Sequence, residues 1–100
     1  MLVHTVLFWL RKDLQNDSAT QFQAGLETLK TIESADAVYI GRPANTEPRP
    51  GVIISSYDFC LTVIFKNIEA HDVYQVDPVH KAFIETYSSY WEKVSVYDAD

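Results

Sequence analysis

The first ten residues constrain the fold more than any other stretch. One parity of Leu2–Leu10 reads Leu2, His4, Val6, Phe8 and Leu10, and the other reads Val3, Thr5, Leu7 and Trp9. Both faces of an extended segment are then apolar, as in a strand covered on both sides. Arg11-Lys12-Asp13 ends the strand. Asp17 or Ser18 can cap a helix beginning there, and Gln21 completes a capping-box pattern with Ser18. Phe22, Leu26, Leu29 and Ile32 recur at intervals of four, three and three. That spacing predicts a helix of about four turns with one apolar stripe, ending near Glu33. Gly25 inside it costs about 1 kcal/mol relative to Ala, so either a close contact there needs the missing side chain or the case for a helix is slightly weaker.

Ala37-Val38-Tyr39-Ile40 reads as a short strand closed by Gly41, and Arg42–Gly51 as a long loop holding three of the four prolines. A third strand starts at about Ile53 or Tyr57 and ends at Phe65, with Tyr57, Phe59, Leu61, Val63 and Phe65 on one parity. Asn67 offers a cap for a short helix through Tyr74, and Pro78 suits the first position of a further helical piece. Phe83, Tyr87, Tyr90 and Trp91 form an aromatic cluster whose default role is core packing, and Lys93–Asp98 closes the chain as a strand. The order β-α-β-β-α-β in one domain, residues 1–100, is the ferredoxin-like α+β plan: a four-stranded antiparallel sheet with helices on one face. The second face of such a sheet lacks cover. With 47% apolar residues in so short a chain, surplus apolar surface is expected to meet another chain or a ligand, and two sheets meeting face to face would form a dimeric α/β barrel. A homodimer is therefore the expected partner state.

Several functions are disfavoured at this level. Fourteen acidic against eight basic residues, a net charge of −6, give no basic field for nucleic acid. No apolar run exceeds the five residues Val6–Leu10, so no membrane span or signal core is expected and a cytoplasmic location is the default. The three glycines form no phosphate-binding loop, and neither a cofactor nor a metal is expected, since His71 and His80 lie nine apart among ordinary surface acids. Cys60 sits mid-strand, where a free thiol is usually a small buried hydrophobe. Arg42 and Arg49 in the proline-rich loop could clamp an acidic ligand or simply be solvated.

The histidines carry the remaining chemical interest, because imidazole titrates near neutral pH. His4 lies on an apolar strand face, either as a satisfied core residue or as a group facing a cavity. His71 reads as a solvated helix residue with no role. His80 comes after Asp77-Pro78-Val79, and Tyr74 precedes it by six residues. A bend at the proline would bring phenol and imidazole to one pocket, where they could abstract a proton and polarise a carbonyl, or instead hydrogen-bond the backbone of a helix junction.

Nearly the whole chain resembles the stress-responsive α/β-barrel domain (Dabb) family. The likeness rests on Val3-His4-Thr5-Val6-Leu7-Phe8, Ile40-Gly41-Arg42-Pro43-Ala44, Ser56-Tyr57-Asp58-Phe59, Val73-Tyr74-Gln75-Val76-Asp77-Pro78-Val79-His80 and Trp91-Glu92-Lys93-Val94-Ser95-Val96-Tyr97-Asp98. Tyr-x-x-x-Pro-x-His is the most specific of these. The resemblance implies a homodimeric barrel of two four-stranded sheets. A plant polyketide cyclase of the family performs an intramolecular aldol condensation, and carrying its roles over would make His80 the general base, Tyr74 the group that orients or stabilises the carbonyl oxygen, and His4 part of the cavity wall. A second cavity histidine of that cyclase falls at Phe59, and the residue before the motif proline is Asp77. The resulting expectation is a small apolar or aromatic ligand in the barrel, catalysis of the cyclase, lyase or isomerase kind by His80 and Tyr74 without cofactor, and His4, Phe59, Tyr57 and Trp91 around the ligand. The alternatives are a non-catalytic dimer with a filled barrel, and a monooxygenase on the same plan.

Overall fold

The computed structural model describes residues 1–100. Its elements are β1 (Leu2–Leu10), α1 (Ser18–Thr28), β2 (Ala37–Gly41), β3 (Phe59–Phe65), α2 (Ile68–Val76), α3 (Pro78–Tyr87) and β4 (Trp91–Ala99), with single 3-10 turns at Leu29–Thr31 and Ser88–Tyr90. The strands form one antiparallel sheet in the order β2-β3-β1-β4, so the two-faced β1 lies in its interior, as its sequence requires. This is the ferredoxin-like architecture. No helix is long and apolar enough to cross a membrane.

One face of the sheet carries the helices. Leu2, Val6, Phe8 and Leu10 of β1 and Phe59, Leu61, Val63 and Phe65 of β3 are buried there against Phe22, Leu26 and Leu29. Each such side chain contributes about 1.5–3 kcal/mol by leaving water. The apolar Tyr57–Phe65 parity is thus covered by this chain's own helices from Phe59 onward. The opposite face presents Val3, Thr5, Leu7 and Trp9 of β1 and Cys60, Thr62 and Ile64 of β3, all half-buried, with Tyr39 and Tyr97 exposed beside them. No helix covers that face. Lys93 Nζ lies 4.5 Å from the centre of the Trp9 ring.

Local chemistry explains the element ends. Asp17, not Ser18, is the N-cap of α1, and Gln21 Nε2 donates to Asp17 Oδ2 at 3.0 Å. The helix tightens into its 3-10 turn after Thr28, and Ile32 is already extended, so it stops short of Glu33. Gly25 has a steric reason: a Cβ there would stand 2.4 Å from Cε2 of the Tyr87 ring. The missing side chain lets α1 and α3 approach. Asn67 Oδ1 accepts from Ala70 N at 2.9 Å and caps α2.

Candidate ligand cavity

The site is built at the break between α2 and α3. Asp77 is extended, with φ −62° and ψ 137°, and its Oδ1 accepts from Val79 N at 2.8 Å while Pro78 takes the first helical position. Proline lacks the N–H that a continuous helix would use, so the chain restarts there instead of continuing α2. The bend carries Tyr74, from the last turn of α2, and His80, from the first turn of α3, to the wall of one cavity of about 200 Å³. Their ring centres are 4.8 Å apart. The cavity lies between the helices and the β1–β4 half of the sheet. Its apolar wall includes Val6, Phe8, Leu61, Phe83, Ile84, Trp91, Val94 and Val96, and its polar groups are His4, Tyr74, Gln75 and His80.

This cavity lies on the helix side of the sheet, within a single chain. A cavity of about 150 Å³ lined by Leu, Ile and Phe can hold benzene, so this one accommodates a small aromatic molecule with a polar substituent.

The polar groups differ in how they are satisfied. Tyr74 is fully buried and its hydroxyl has no hydrogen-bond partner. Burial pushes the phenol well above its ordinary range, so it stays protonated and remains a donor. Burial also lowers the pKa of His80, with the His4 and His71 charges acting in the same direction and a backbone hydrogen bond at Gln75 and the Asp77 charge opposing them. Desolvation favours the uncharged ring, so His80 is a free base at neutral pH. A neutral base and a protonated donor thus stand side by side. His4 is 4% exposed, and its Nδ1 lies 2.5 Å from Asp98 Oδ1. The Tyr74 ring packs edge-on against Phe65 at 5.1 Å and His4 at 6.1 Å, which fixes its position.

Among the residues expected at the ligand, Tyr74, His80, His4 and Trp91 lie together on this cavity wall, whereas Phe59 and Tyr57 do not. Phe59 is fully buried beneath Phe22, with Arg42 Cζ 4.8 Å from its ring centre. Tyr57 precedes the strand. Asp58 is pinned by its N–H to Phe8 O at 2.8 Å and by its Oδ2 accepting from Leu10 N at 2.7 Å, and Tyr57 packs instead against Trp9. Arg42 and Arg49 are also absent from the cavity wall, Arg49 lining a groove of the loop itself.

His71 departs from expectation. Only 15% of its side chain is exposed, and its ring lies 5.2 Å from that of His4 and edge-on to Phe65 at 5.5 Å. Sequence reasoning also misses Asp98, Val94 and Val96, whose alternation is visible but whose neighbours emerge only from pairing β4 with β1: Asp98 with His4, Val96 with Val6 and Val94 with Phe8.

The family profile of the stress responsive A/B barrel domain, Dabb, matches residues 2–100. The chain belongs to this family. A Dabb family protein with a ferredoxin-like fold from Mesorhizobium loti is 22% identical and superposes with a TM-score of 0.79, covering 99% of this Dabb chain and 94% of its own. A dimeric ferredoxin-like protein of unknown function from Thermobifida fusca is 18% identical, with a TM-score of 0.78 and coverage of 98% and 88%. The hydroxynitrile lyase of Passiflora edulis is 17% identical, with a TM-score of 0.77 and coverage of 98% and 90%. No curated protein matches this Dabb chain.

Proposed function

We propose that this Dabb protein is a homodimer whose chains each bind a small apolar or aromatic carbonyl compound in the cavity between the sheet and α2–α3, with His80 as general base and Tyr74 as hydrogen-bond donor. The observation that carries this reading is the buried, unpartnered hydroxyl of Tyr74, whose ring centre lies 4.8 Å from that of His80. A buried hydroxyl without a partner costs about 1–3 kcal/mol, and a ligand oxygen accepting from it recovers that cost. The pair dictates the chemistry. His80 takes a proton from a carbon next to the carbonyl, and the phenol donates to the oxygen on which negative charge develops. The same base and donor serve a cyclase, a lyase or an isomerase without a cofactor, and the likeness to the hydroxynitrile lyase of Passiflora edulis supports such an activity on this fold.

Dimerisation is supported by the sheet face that carries Val3, Leu7, Trp9 and Ile64 and has no helix over it, and the Thermobifida fusca neighbour is described as dimeric. The test is a thermal-shift screen of aryl alkyl ketones and arylacetaldehydes, which carry a hydrogen next to the carbonyl, with subsequent exchange of these α-hydrogens for deuterium in D2O. Binding with exchange that is abolished in His80→Ala is expected. Binding without exchange would leave a non-catalytic carrier. No binding by any aromatic carbonyl compound would refute the reading.

A further inference from the structure

The deepest titratable group outside the base–donor pair is His4, and it does not stand alone. The antiparallel register of β1 and β4 sets Asp98 beside it, and α2 lays the His71 ring 5.2 Å from the His4 ring. One ligand-capable atom from each of the three lies within 4.8 Å of the other two. We propose that His4, His71 and Asp98 form a binding site for a divalent first-row transition-metal ion such as Zn²⁺, with at least one coordination position left open.

Two imidazoles and one carboxylate suit zinc, cobalt, nickel or ferrous iron and not magnesium or calcium, which prefer oxygen ligands throughout. Bonds of about 2.0–2.2 Å place the donor atoms of a tetrahedral site about 3.3 Å apart, so the three groups need to shift by roughly an ångström. The two outer ligands have that freedom: the side chains of His71 and Asp98 are 15% and 42% exposed, while His4, at 4%, is held by the core. The ion would separate His4 Nδ1 from Asp98 Oδ1, now 2.5 Å apart.

His71 is also prepared for the role. Its Nδ1 lies 3.1 Å from Asp72 Oδ1 and its Nε2 lies 3.1 Å from the Gln75 amide nitrogen. A carboxylate on Nδ1 holds the proton there and leaves Nε2 with a lone pair, which is the arrangement that supports metal-bound histidines in general. The Gln75 amide donates to that lone pair in the metal-free protein. An ion at Nε2 would replace it.

The experiment titrates the tag-free full-length protein with Co²⁺ and then displaces it with Zn²⁺, reading visible absorption and stoichiometry by calorimetry. The expected result is one Co²⁺ per chain with the intense visible bands of a four- or five-coordinate ion, displaced by Zn²⁺. Affinity should fall more than about tenfold in each of His71→Ala and Asp98→Asn, since loss of an outer-shell partner alone typically costs about 10–100-fold. Both positions are at the edge of the core, and unchanged far-UV circular dichroism establishes that the variants fold. Absence of binding, or binding that Asp98→Asn leaves unchanged, would overturn the proposal. So would binding lost in Asp72→Asn and kept in Asp98→Asn, which would put the ion on the exposed His71–Asp72 pair.

Discussion

Replacing Tyr74 by Phe removes one oxygen atom and separates stability from function. The ring is fully buried and packed against Phe65, His4 and His80, and Phe keeps all of those contacts. The hydroxyl has no partner to lose. A buried hydroxyl lacking a hydrogen bond costs about 1–3 kcal/mol, and a cavity water reached by it would reduce that cost, so a gain of about 1 kcal/mol is expected for Tyr74→Phe. In a domain of this size 1 kcal/mol corresponds to about 4–8 °C in Tm. The assay is thermal unfolding of both proteins at one fixed protein concentration, because a dimer's Tm depends on concentration. Loss of the donor should weaken binding of an aromatic ketone about tenfold, the equivalent of about 1.4 kcal/mol. A Tm lowered by several degrees with unchanged ketone affinity would mean the opposite: a hydroxyl bonded within the fold and idle toward ligand.

The same geometry makes further outcomes measurable. Gly25→Ala gains up to about 1 kcal/mol of helix propensity but drives a Cβ to within 2.4 Å of the Tyr87 ring, so a net loss of about 1–2 kcal/mol is expected in urea denaturation; Gly25→Ala combined with Tyr87→Ala should lose less than the two separate losses added together. Burial holds the folded pKa of His80 below the ordinary 6.5 of the unfolded chain, so its neutral form is favoured on folding. The stability this confers is present above pH 6.5 and is lost as pH falls through that value toward the folded pKa; a difference in unfolding free energy between wild type and His80→Asn that varies with pH across this window is expected, and a constant difference would contradict it. Sedimentation should give about twice the 11.4 kDa chain mass at micromolar concentration, and Leu7→Asp on the uncovered face should return the monomer.

Much of the fold is legible in the sequence because its signals are local. The double apolar parity of Leu2–Leu10, the cap at Asn67 and the proline at 78 depend on neighbouring residues only, and they specify an interior strand and a bend between two helices. Tyr74 and His80 can be placed together because six residues and one bend separate them. His71 escapes such reasoning because a helix position flanked by Ala70 and Asp72 reads as solvated, whereas the tertiary fold turns its ring onto His4 and Phe65. Parity misplaces Tyr57 because it extends through Asp58, where side-chain and backbone bonds to β1 redirect the chain. Asp98 lies 94 residues from His4, and only the strand register joins them.

Entry of a small aromatic carbonyl compound into the space between the sheet and the α2–α3 bend, at Tyr74 and His80, is open to direct observation by NMR titration with acetophenone, following the ring resonances of all three histidines and the tyrosine side chains. Saturable shifts centred on Tyr74 and His80 are expected, with intermolecular contacts from the ligand ring to Phe83 and Val96, and their loss when Ile84→Trp fills the cavity. Shifts confined to Trp9, Tyr39 and Tyr97 on the opposite face of the sheet, or none at all, would contradict ligand binding at this site.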